Sequence, residues 1–176
     1  MTINITSAIM LGIICLIFGV ILMCMLFVAK DSDRRTNRIR VMLDEGAYPP
    51  HSAHDADAGY DLRTPKECVV PAGGYAVIDT GVHMEIPKGY VGFLKSKSGL
   101  NVKSHLTGTG VIDSGYTGPI VAKLYHNSPY DEHKHFKKGD KIIQIVLLPI
   151  FKPEIDIVDK LDATERGDGG FGSTGR

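Results

Sequence analysis

The fold class is decided by one stretch of the sequence, Tyr75-Ala-Val-Ile-Asp-Thr-Gly-Val-His-Met-Glu-Ile-Pro-Lys-Gly-Tyr-Val-Gly-Phe-Leu94. It contains three short runs that are rich in β-branched and aromatic residues. Gly81 separates the first two runs, and Pro87-Lys-Gly89 separates the second from the third. Short apolar runs punctuated by glycine and proline are typical of strands joined by tight turns. The stretch therefore predicts three consecutive strands.

The same pattern continues on both sides of this stretch. Residues 38–42, 120–125 and 141–150 form further β-like runs, and Pro49-Pro50 and Lys138-Gly-Asp140 supply breaks between them. Turn signals at this spacing favour a sandwich or a barrel. Outside an apolar run near the N-terminus, the sequence shows no heptad pattern, no internal repeat and no ten-residue amphipathic helix. We therefore predict an all-β domain.

Composition limits the classes of function. The chain has 176 residues, which suggests one domain with an appendage. Lys+Arg and Asp+Glu are both 20, so the formal net charge is zero and a nucleic-acid partner is not predicted. Any phosphate site must therefore be local. The three cysteines, Cys15, Cys24 and Cys68, have neither metal-ligand spacing nor the pattern of a disulfide framework, which favours a reducing compartment.

The N-terminal apolar run predicts a membrane anchor. Residues 8–29 are 22 residues without a charge, and as a helix they would extend roughly 33 Å, enough to cross a bilayer. We therefore predict a transmembrane helix within residues 1–30, followed by a polar linker at residues 31–37. The alternatives are a cleaved signal peptide and an upstream extension that is never translated.

The charges that flank this run predict its orientation. Five basic residues follow it, and no charged side chain precedes it. Positive flanks stay on the cytoplasmic side, so we predict a single-pass protein with the N-terminus outside and the main domain in the cytoplasm. If the N-terminal segment is not translated, the whole protein is expected in the cytoplasm.

Residues 161–176 form a glycine-rich tail that suits a polyphosphate. Glycines let backbone amides approach an anion, Ser173 and Thr174 add hydroxyl donors, and Arg166 adds a bidentate cation. Phe171 has no core to join in so polar a segment, but it could cover a flat base. The alternative is a flexible tail without a role.

The segment from Gly110 to Gly118 carries the strongest candidate for chemistry. Its sequence, Gly-Val-Ile-Asp-Ser-Gly-Tyr-Thr-Gly, predicts a tight β-hairpin that presents Asp113 and Tyr116 together. A carboxylate in that position can take a proton from an attacking water. The alternative is an ordinary turn in which the aspartate is a cap.

Taken together and in order, five segments resemble the motifs of the trimeric dUTP diphosphatase (dUTPase) family. The third and fifth are nearly complete, and the resemblance covers about the last four-fifths of the chain. The segments are Ala58-Gly-Tyr-Asp-Leu62, Lys97-Ser-Gly-Leu100, Gly110–Gly118, Gly139-Asp-Lys-Ile-Ile-Gln144 and Arg166-Gly-Asp-Gly-Gly-Phe-Gly-Ser-Thr-Gly175.

The resemblance implies a jelly-roll-like β-barrel over residues 38–160 and a homotrimer. It also implies that residues 161–176 form an arm that closes a neighbouring subunit's active site. The implied activity is Mg²⁺-dependent hydrolysis of dUTP to dUMP and pyrophosphate, with the metal held mainly by the triphosphate. Three alternatives stay open: a nucleotide-gated regulatory protein on the same fold, a relative of dCTP deaminase, and a membrane-tethering scaffold with an inert barrel.

The resemblance also assigns roles to individual residues. Asp113 resembles the base that orients water towards the α-phosphorus, and Asp61 resembles an acidic position near the metal, an indirect contact at most. Contacts to uracil or deoxyribose are implied for Thr107, Gly110, Ile112, Tyr116 and Phe171. Contacts to the phosphates are implied for Lys97, Ser98, Gly99, Gln144, Arg166, Gly172, Ser173 and Thr174.

Three positions depart from the family's usual pattern. Lys97 stands where the second motif has arginine, so the phosphate contact lacks the planar guanidinium. Thr107 stands where many members have asparagine, and Gly115 stands where many have a second aspartate. Asp113 is intact, so activity is expected to survive.

Overall fold

The computed structural model describes residues 10, 13–26 and 38–169 of the chain, and residues 38–169 are mostly β. Residues 13–26 form a helix, α1. A second, short helix, α2, spans Ser98–Ser104. The strands are β1 (Val41–Leu43), β2 (Gly59–Arg63), β3 (Cys68–Val70), β4 (Tyr75–Asp79), β5 (Val82–Met84), β6 (Tyr90–Lys95), β7 (Leu106–Ile112), β8 (Val121–His126), β9 (Lys134–Phe136) and β10 (Lys141–Pro149).

The strands form a jelly-roll-like arrangement of antiparallel sheets. The large sheet has six strands in the order β2-β10-β6-β7-β8-β4, and two small sheets pair β1 with β5 and β3 with β9. Strands that are neighbours in space are mostly distant in sequence, as β2 and β10 are. The sheets therefore bring together segments from both ends of the domain.

The core lies on one face of the large sheet. Burial alternates along β8, where Ala122 and Leu124 are buried while Val121 and Tyr125 are exposed. This alternation is expected of a strand with one face on the core. Aliphatic side chains dominate the core, and the fully buried ones include Leu62, Leu94, Leu106, Ile120, Leu124, Ile142, Ile143 and Ile145.

The opposite face of the large sheet, called here the outer sheet face, carries exposed apolar side chains. Val77 is 61% exposed and Val111 is 58% exposed, and both lie in the middle of strands rather than in loops. Val121, Tyr125 and Leu148 extend the same surface. Exposed apolar side chains on a sheet face are often covered by another protein.

Strands β7 and β8 diverge because Ile120 is anchored elsewhere. The pairing covers only Leu106–Gly108 with Leu124–His126. Ile120 donates to the Val82 carbonyl at 2.8 Å and accepts from the Thr80 hydroxyl at 2.7 Å and from the Thr80 amide at 3.2 Å. The predicted tight hairpin at 110–118 is therefore wrong, because these buried bonds draw the start of β8 towards β5.

The predicted membrane anchor is also wrong. Among the described residues, no helix is both long enough and apolar enough to span a bilayer. The transmembrane part of the predicted fold, the membrane localisation and the N-terminus-outside orientation are overturned with it. The predicted linker at 31–37 lies outside the described residues.

After β10, residues 150–169 contain no helix or strand, and this segment is called here the arm. The arm begins before the predicted start of the glycine-rich tail at residue 161. Over residues 150–169 the arm contributes no side chain to the core, and Phe151 and Ile157 are 91% and 93% exposed. Ile155 and Leu161 are similarly exposed. These exposed apolar side chains are available to pack against another surface.

The hydrogen bonds between Thr80 and Ile120 predict a measurable loss of stability when the Thr80 hydroxyl is removed. Thr80→Val removes a fully buried hydroxyl that bonds to the Ile120 carbonyl, so the free energy of unfolding should fall by about 1–3 kcal/mol. Urea denaturation followed by circular dichroism measures this change. Thr109→Val, at an exposed position, is the matched control and should be nearly neutral. Equal effects of the two substitutions would contradict a stabilising role for the bond between Thr80 and Ile120.

Candidate active site

The register of the large sheet places residues from distant segments in one row. Gln144 of β10 pairs with Asp61 of β2 on one side and with Lys95 of β6 on the other. Lys95 in turn pairs with Thr109 of β7. Directly paired residues lie on the same face of a sheet, so four polar side chains form a line across four strands. The first and fourth sequence motifs meet along this line, and Lys97 of the second motif is bonded to its Asp61.

Asp61 is the acidic residue of this row and lies at its β2 end. It is only 8% exposed, and its two carboxylate oxygens accept hydrogen bonds from Lys97 and, at 2.8 Å, from Lys141. Burial alone would raise the pKa of this carboxyl. The bonds from Lys141 and Lys97 and their positive charges outweigh burial, so the pKa of Asp61 is lowered from its ordinary value. Asp61 is therefore ionised and positions two ammonium groups.

Helix α2 is tied to the sheet through Ser96. The Ser96 hydroxyl accepts from the Gly108 amide at 2.8 Å and donates to the Gly108 carbonyl at 3.2 Å. The Gln144 side chain donates to the Ser96 carbonyl at 3.3 Å. A Cβ on Gly108 would lie 2.9 Å from the Leu124 side chain, so this close approach requires glycine. These contacts fix the segment from which Lys97 and α2 begin.

Ser98 and Gly99 occupy the first turn of α2 and are exposed. The first backbone N–H groups of a helix have no partner within the helix, so they are free to bind an acceptor. Together with Lys97 and Gln144, these positions form the group of predicted phosphate contacts that the fold brings together. The structure adds Lys141, which sequence reasoning missed although it lies inside the fourth motif.

Asp113 and Tyr116 lie at the end of β7, in a turn closed by a bond from the Tyr116 amide to the Asp113 carbonyl at 3.0 Å. Both residues are exposed. The Tyr116 hydroxyl donates to the Pro119 carbonyl at 3.0 Å. A Cβ on Gly118 would lie 2.5 Å from that hydroxyl, so glycine is required beneath the ring. The ring is thus held over its own loop, next to an accessible carboxylate.

Beside this turn, β7 has an open edge. On the β8 side the registered pairs end at Gly108, while on the other side Thr109, Gly110 and Ile112 pair with β6. Within the described residues, no strand pairs with residues 109–112 on the β8 side. Backbone N–H and C=O groups on such an edge are available to a ligand with a complementary pattern of donors and acceptors.

Within one chain, the fold keeps the Asp113 turn apart from the residues predicted to contact the phosphates. Asp113 lies four residues beyond Thr109 along β7, which is roughly 13 Å at the rise of an antiparallel strand. Because β6 runs in the opposite direction, Lys97 and α2 lie further away still. One copy of the chain therefore presents two separate halves of a site.

Thr107 lies in a cavity of about 390 Å³ on the outer sheet face, with Lys95, Thr109 and Tyr125 in its lining. Its hydroxyl accepts from the Asn127 side-chain amide at 3.1 Å. Asn127 was not predicted as a site residue, and no local motif identified it, because the contact depends on the pairing of β7 with β8.

The tail is described only in part. Arg166 is exposed and stands at a turn in which its side chain donates to the Gly169 carbonyl at 3.0 Å. The predicted contacts at Phe171, Gly172, Ser173 and Thr174 lie outside the described residues. Arg166 is therefore the one predicted tail contact whose position can be given.

The described residues contain no group of three or more His, Cys, Asp or Glu side chains arranged to hold a metal ion. Both oxygens of Asp61 already accept from lysines. The chain therefore offers no ready carboxylate cage at this site. Mg²⁺ is commonly bound through substrate phosphates with few protein ligands, and that mode fits the residues present.

Comparison with known proteins identifies the family. The dUTPase family model matches residues 46–175. The deoxyuridine 5'-triphosphate nucleotidohydrolase of Solanum lycopersicum is 42% identical over 134 residues, which cover 76% of this chain and 78% of that protein. Residues 46–175, which the family model matches, include every residue of the row and of the Asp113 turn.

Solved structures agree with the sequence comparison. A mutant dUTPase of Staphylococcus bacteriophage 80alpha with dUpNHpp superposes with a TM-score of 0.71 at 33% identity, covering 80% of this chain and 100% of that one. A mutant dUTPase from phage phi11 of S. aureus has a TM-score of 0.65 at 33% identity, covering 70% and 98%. The latter is described as revealing the coordination of a structural Mg(II) ion.

The charge arrangement at Asp61 predicts a change in acid stability. A lowered folded-state pKa stabilises the protein above the ordinary aspartate value of about 4, and this contribution is lost as the pH falls through the folded-state pKa. Asp61→Asn should lower the free energy of unfolding by about 1–3 kcal/mol at pH 7 and flatten its decline below pH 4. Urea denaturation across a pH series measures both effects.

The matched control is Asp55→Asn, which neutralises an exposed carboxylate. It should leave the acid part of the stability profile unchanged. A profile for Asp61→Asn that is parallel to that of the wild type would show that Asp61 is not the group responsible.

Proposed function

Because the chain belongs to the dUTPase family and is a dUTP diphosphatase, we propose that Asp113 activates the water that attacks the α-phosphorus of dUTP. The products are dUMP and pyrophosphate. The observation that carries the proposal is the exposed carboxylate of Asp113 at the mouth of the open β7 edge. A carboxylate within hydrogen-bond distance of a water molecule can accept a proton from that water. The same hydrogen bond can hold the water in line with the leaving group.

The open β7 edge is proposed to bind the uracil. Backbone groups near Gly110 and Ile112 would pair with the edge of the base, chiefly those of Val111, which lies between them and faces away from β6, and Thr107 would lie beyond its tip. Cytosine presents a different pattern of donors and acceptors, so its binding would leave backbone groups unpaired. Buried polar groups left unpaired by the wrong ligand can discriminate by roughly 10⁴.

Tyr116 is proposed to exclude ribonucleotides. Its ring is held by the Pro119 carbonyl and lies against Gly118, so it cannot move aside without breaking that bond. A rigid ring under the sugar leaves no space for a 2′-hydroxyl.

Lys97, Ser98, Gly99 and Gln144 are proposed to bind the phosphates, since the row and α2 bring them together. Asp61 would act as a positioning residue that holds Lys97 in place. Arg166 would bind the γ-phosphate. Phe171 would cover the uracil, and Gly172, Ser173 and Thr174 would complete the phosphate contacts.

Enzymes of this family are generally metal-dependent. We propose Mg²⁺ for this chain, carried by the triphosphate oxygens rather than by a protein cage. The ion would neutralise charge on the triphosphate. Lys97 and Arg166 would contribute to the same neutralisation from the protein side.

The dUTPase fold is typically trimeric, and three features support a homotrimer here. The two halves of the site lie apart within one chain. The outer sheet face exposes Val77 and Val111, and the arm exposes Phe151 and Ile157. A neighbouring copy would complete the site and bury both apolar surfaces, with the arm reaching over from one subunit to the next.

The first test is turnover by the full chain. With Mg²⁺, it should release pyrophosphate from dUTP and hardly from dCTP, dTTP or UTP. Asp113→Asn should lower kcat by about 10²–10⁴ while nucleotide binding is kept, because the base is lost and the contacts to substrate remain. Asp55→Asn is the control and should retain full activity.

Two results would count against the proposal. Unchanged kcat in Asp113→Asn would remove Asp113 as the base. Binding of dUTP by the wild type without turnover would favour the nucleotide-gated regulatory role instead.

A second test asks whether the arm acts on a neighbour. Subunits lacking residues 166–176 and subunits carrying Asp113→Asn should each be nearly inactive alone. Co-expressed in equal amounts, they should form mixed trimers in which about a quarter of the sites combine an intact Asp113 with an intact tail from another subunit. Turnover of the mixed preparation measures this recovery.

Each deletion or substitution mixed only with itself is the control for this experiment. Absence of any recovery in trimers shown by mass spectrometry to be mixed would mean that the tail closes the site of its own subunit.

A further inference from the structure

A groove of about 400 Å³ borders the site described above and shares Lys141 with it, between the end of β9 and the start of β10. Its lining contains Arg63, Lys134, His135 and Lys141, the apolar side chains of Leu100 and Phe136, and one carboxylate, Asp140. This volume falls within the range of about 300–1,000 Å³ that is usual for small-ligand pockets. The groove is called here the basic groove.

The basic groove concentrates positive charge in a chain whose formal net charge is zero. Residues 133–141 contain four lysines, of which Lys134 and Lys141 line the groove, and one acid, Asp140, which lines it too. A carboxylate oxygen of Asp140 accepts from the Lys137 amide at 2.8 Å, so this acid is engaged in its own turn. Within residues 38–169, no carboxylate forms an ion pair with Arg63 or Lys134.

Arg63 is fixed in a position that suits an anion. It pairs with Lys141 across β2 and β10, and its guanidinium donates to the Gly139 carbonyl at 2.8 Å. A guanidinium has five N–H donors in a rigid plane, so one bond can hold the group while others face a ligand. A preorganised arginine loses less entropy on binding than a mobile one.

The basic groove adjoins the phosphate end of the active site. Lys141 lies in its lining and bonds at 2.8 Å to Asp61, which also holds Lys97. A negative charge in the groove would therefore act on the same charge cluster that positions Lys97.

We propose that the basic groove is a second anion site that binds an inorganic phosphoanion of the size of pyrophosphate. Arg63 and Lys134 lie outside the proposed contacts to the triphosphate, so we expect the groove to bind this anion while nucleotide is bound. The link to catalysis rests on the proposed function, because that reaction generates pyrophosphate next to the groove. The binding itself does not depend on turnover.

The features of the groove favour a small anion over a nucleic acid. The aromatic ring in its lining, Phe136, is only 4% exposed and offers no face on which a base could stack. Single-stranded nucleic acids are usually bound by exposed aromatic side chains along an extended basic path. A groove lined by several cations matches a compact, multiply charged ligand instead.

The test measures pyrophosphate binding while the active site is occupied. The full-length protein is saturated with the non-hydrolysable analogue dUpNHpp, and pyrophosphate is titrated by isothermal calorimetry. The wild type should bind pyrophosphate at one further site per subunit. Arg63→Gln combined with Lys134→Gln should weaken this binding about tenfold or more, because two cations are lost. Lys88→Gln, on an exposed turn, is the control and should bind as the wild type does.

The outcomes separate this proposal from the proposed function. Equal binding by the wild type and the double variant, or no binding beyond the nucleotide site, would overturn the groove even if dUTP is hydrolysed. Loss of binding in the double variant would support the groove even if Asp113 proved dispensable. Displacement of pyrophosphate by a single-stranded oligonucleotide at lower concentration than by orthophosphate would overturn the assignment to a small anion.

Discussion

The register of β10 is the constraint on which the rest of the structure depends. This strand is paired on both sides, with β2 and with β6, and Ile143 and Ile145 are fully buried on its inner face. A slip by one residue would exchange the two faces of the strand, placing Gln144 in the core and an isoleucine outside. Burial of the isoleucines thereby fixes which side chains meet on the outer face. The polar row is a consequence of how the core packs.

A buried carboxylate is costly unless its charge is compensated, and Asp61 is compensated twice. Lys97 comes from the segment before α2 and Lys141 from the start of β10, so one aspartate connects three parts of the chain. Among the described residues, no buried side-chain nitrogen or oxygen lacks a hydrogen-bond partner. A fully satisfied polar cluster of this kind is rigid, and rigidity is what a site for a charged ligand requires.

The sequence predicted those parts of the fold that local pattern determines. Runs at 75–79 and 141–150 became β4 and β10 because each alternates or concentrates apolar residues over a full strand. The three-residue strands β3 and β9 were missed, since so short a run carries little periodicity. The tight hairpin at 110–118 failed because the bonds of Ile120 to Thr80 and Val82 join residues about forty positions apart.

The candidate site shows the same division. The motifs singled out Asp61, Lys97 and Gln144 individually, but no local pattern states that one carboxylate bonds two lysines. The transmembrane helix was a failure of a different kind, because it was predicted from hydropathy alone and no helix among the described residues is long and apolar enough to span a bilayer. Long-range pairing is a tertiary property, and one sequence without its relatives gives little access to it.

The open edge of β7 has a consequence for how this protein can evolve. A surface made of main-chain amides and carbonyls presents the same atoms whichever side chains are attached, so single substitutions at Val111 or Ile112 leave its donors and acceptors in place. Insertion or loss of one residue in the loop 113–120 would instead displace those atoms relative to β8. If the edge binds the base as proposed, preference for a base would tolerate mutational drift but be sensitive to loop length, and new specificities would arise more readily by indels than by point mutation.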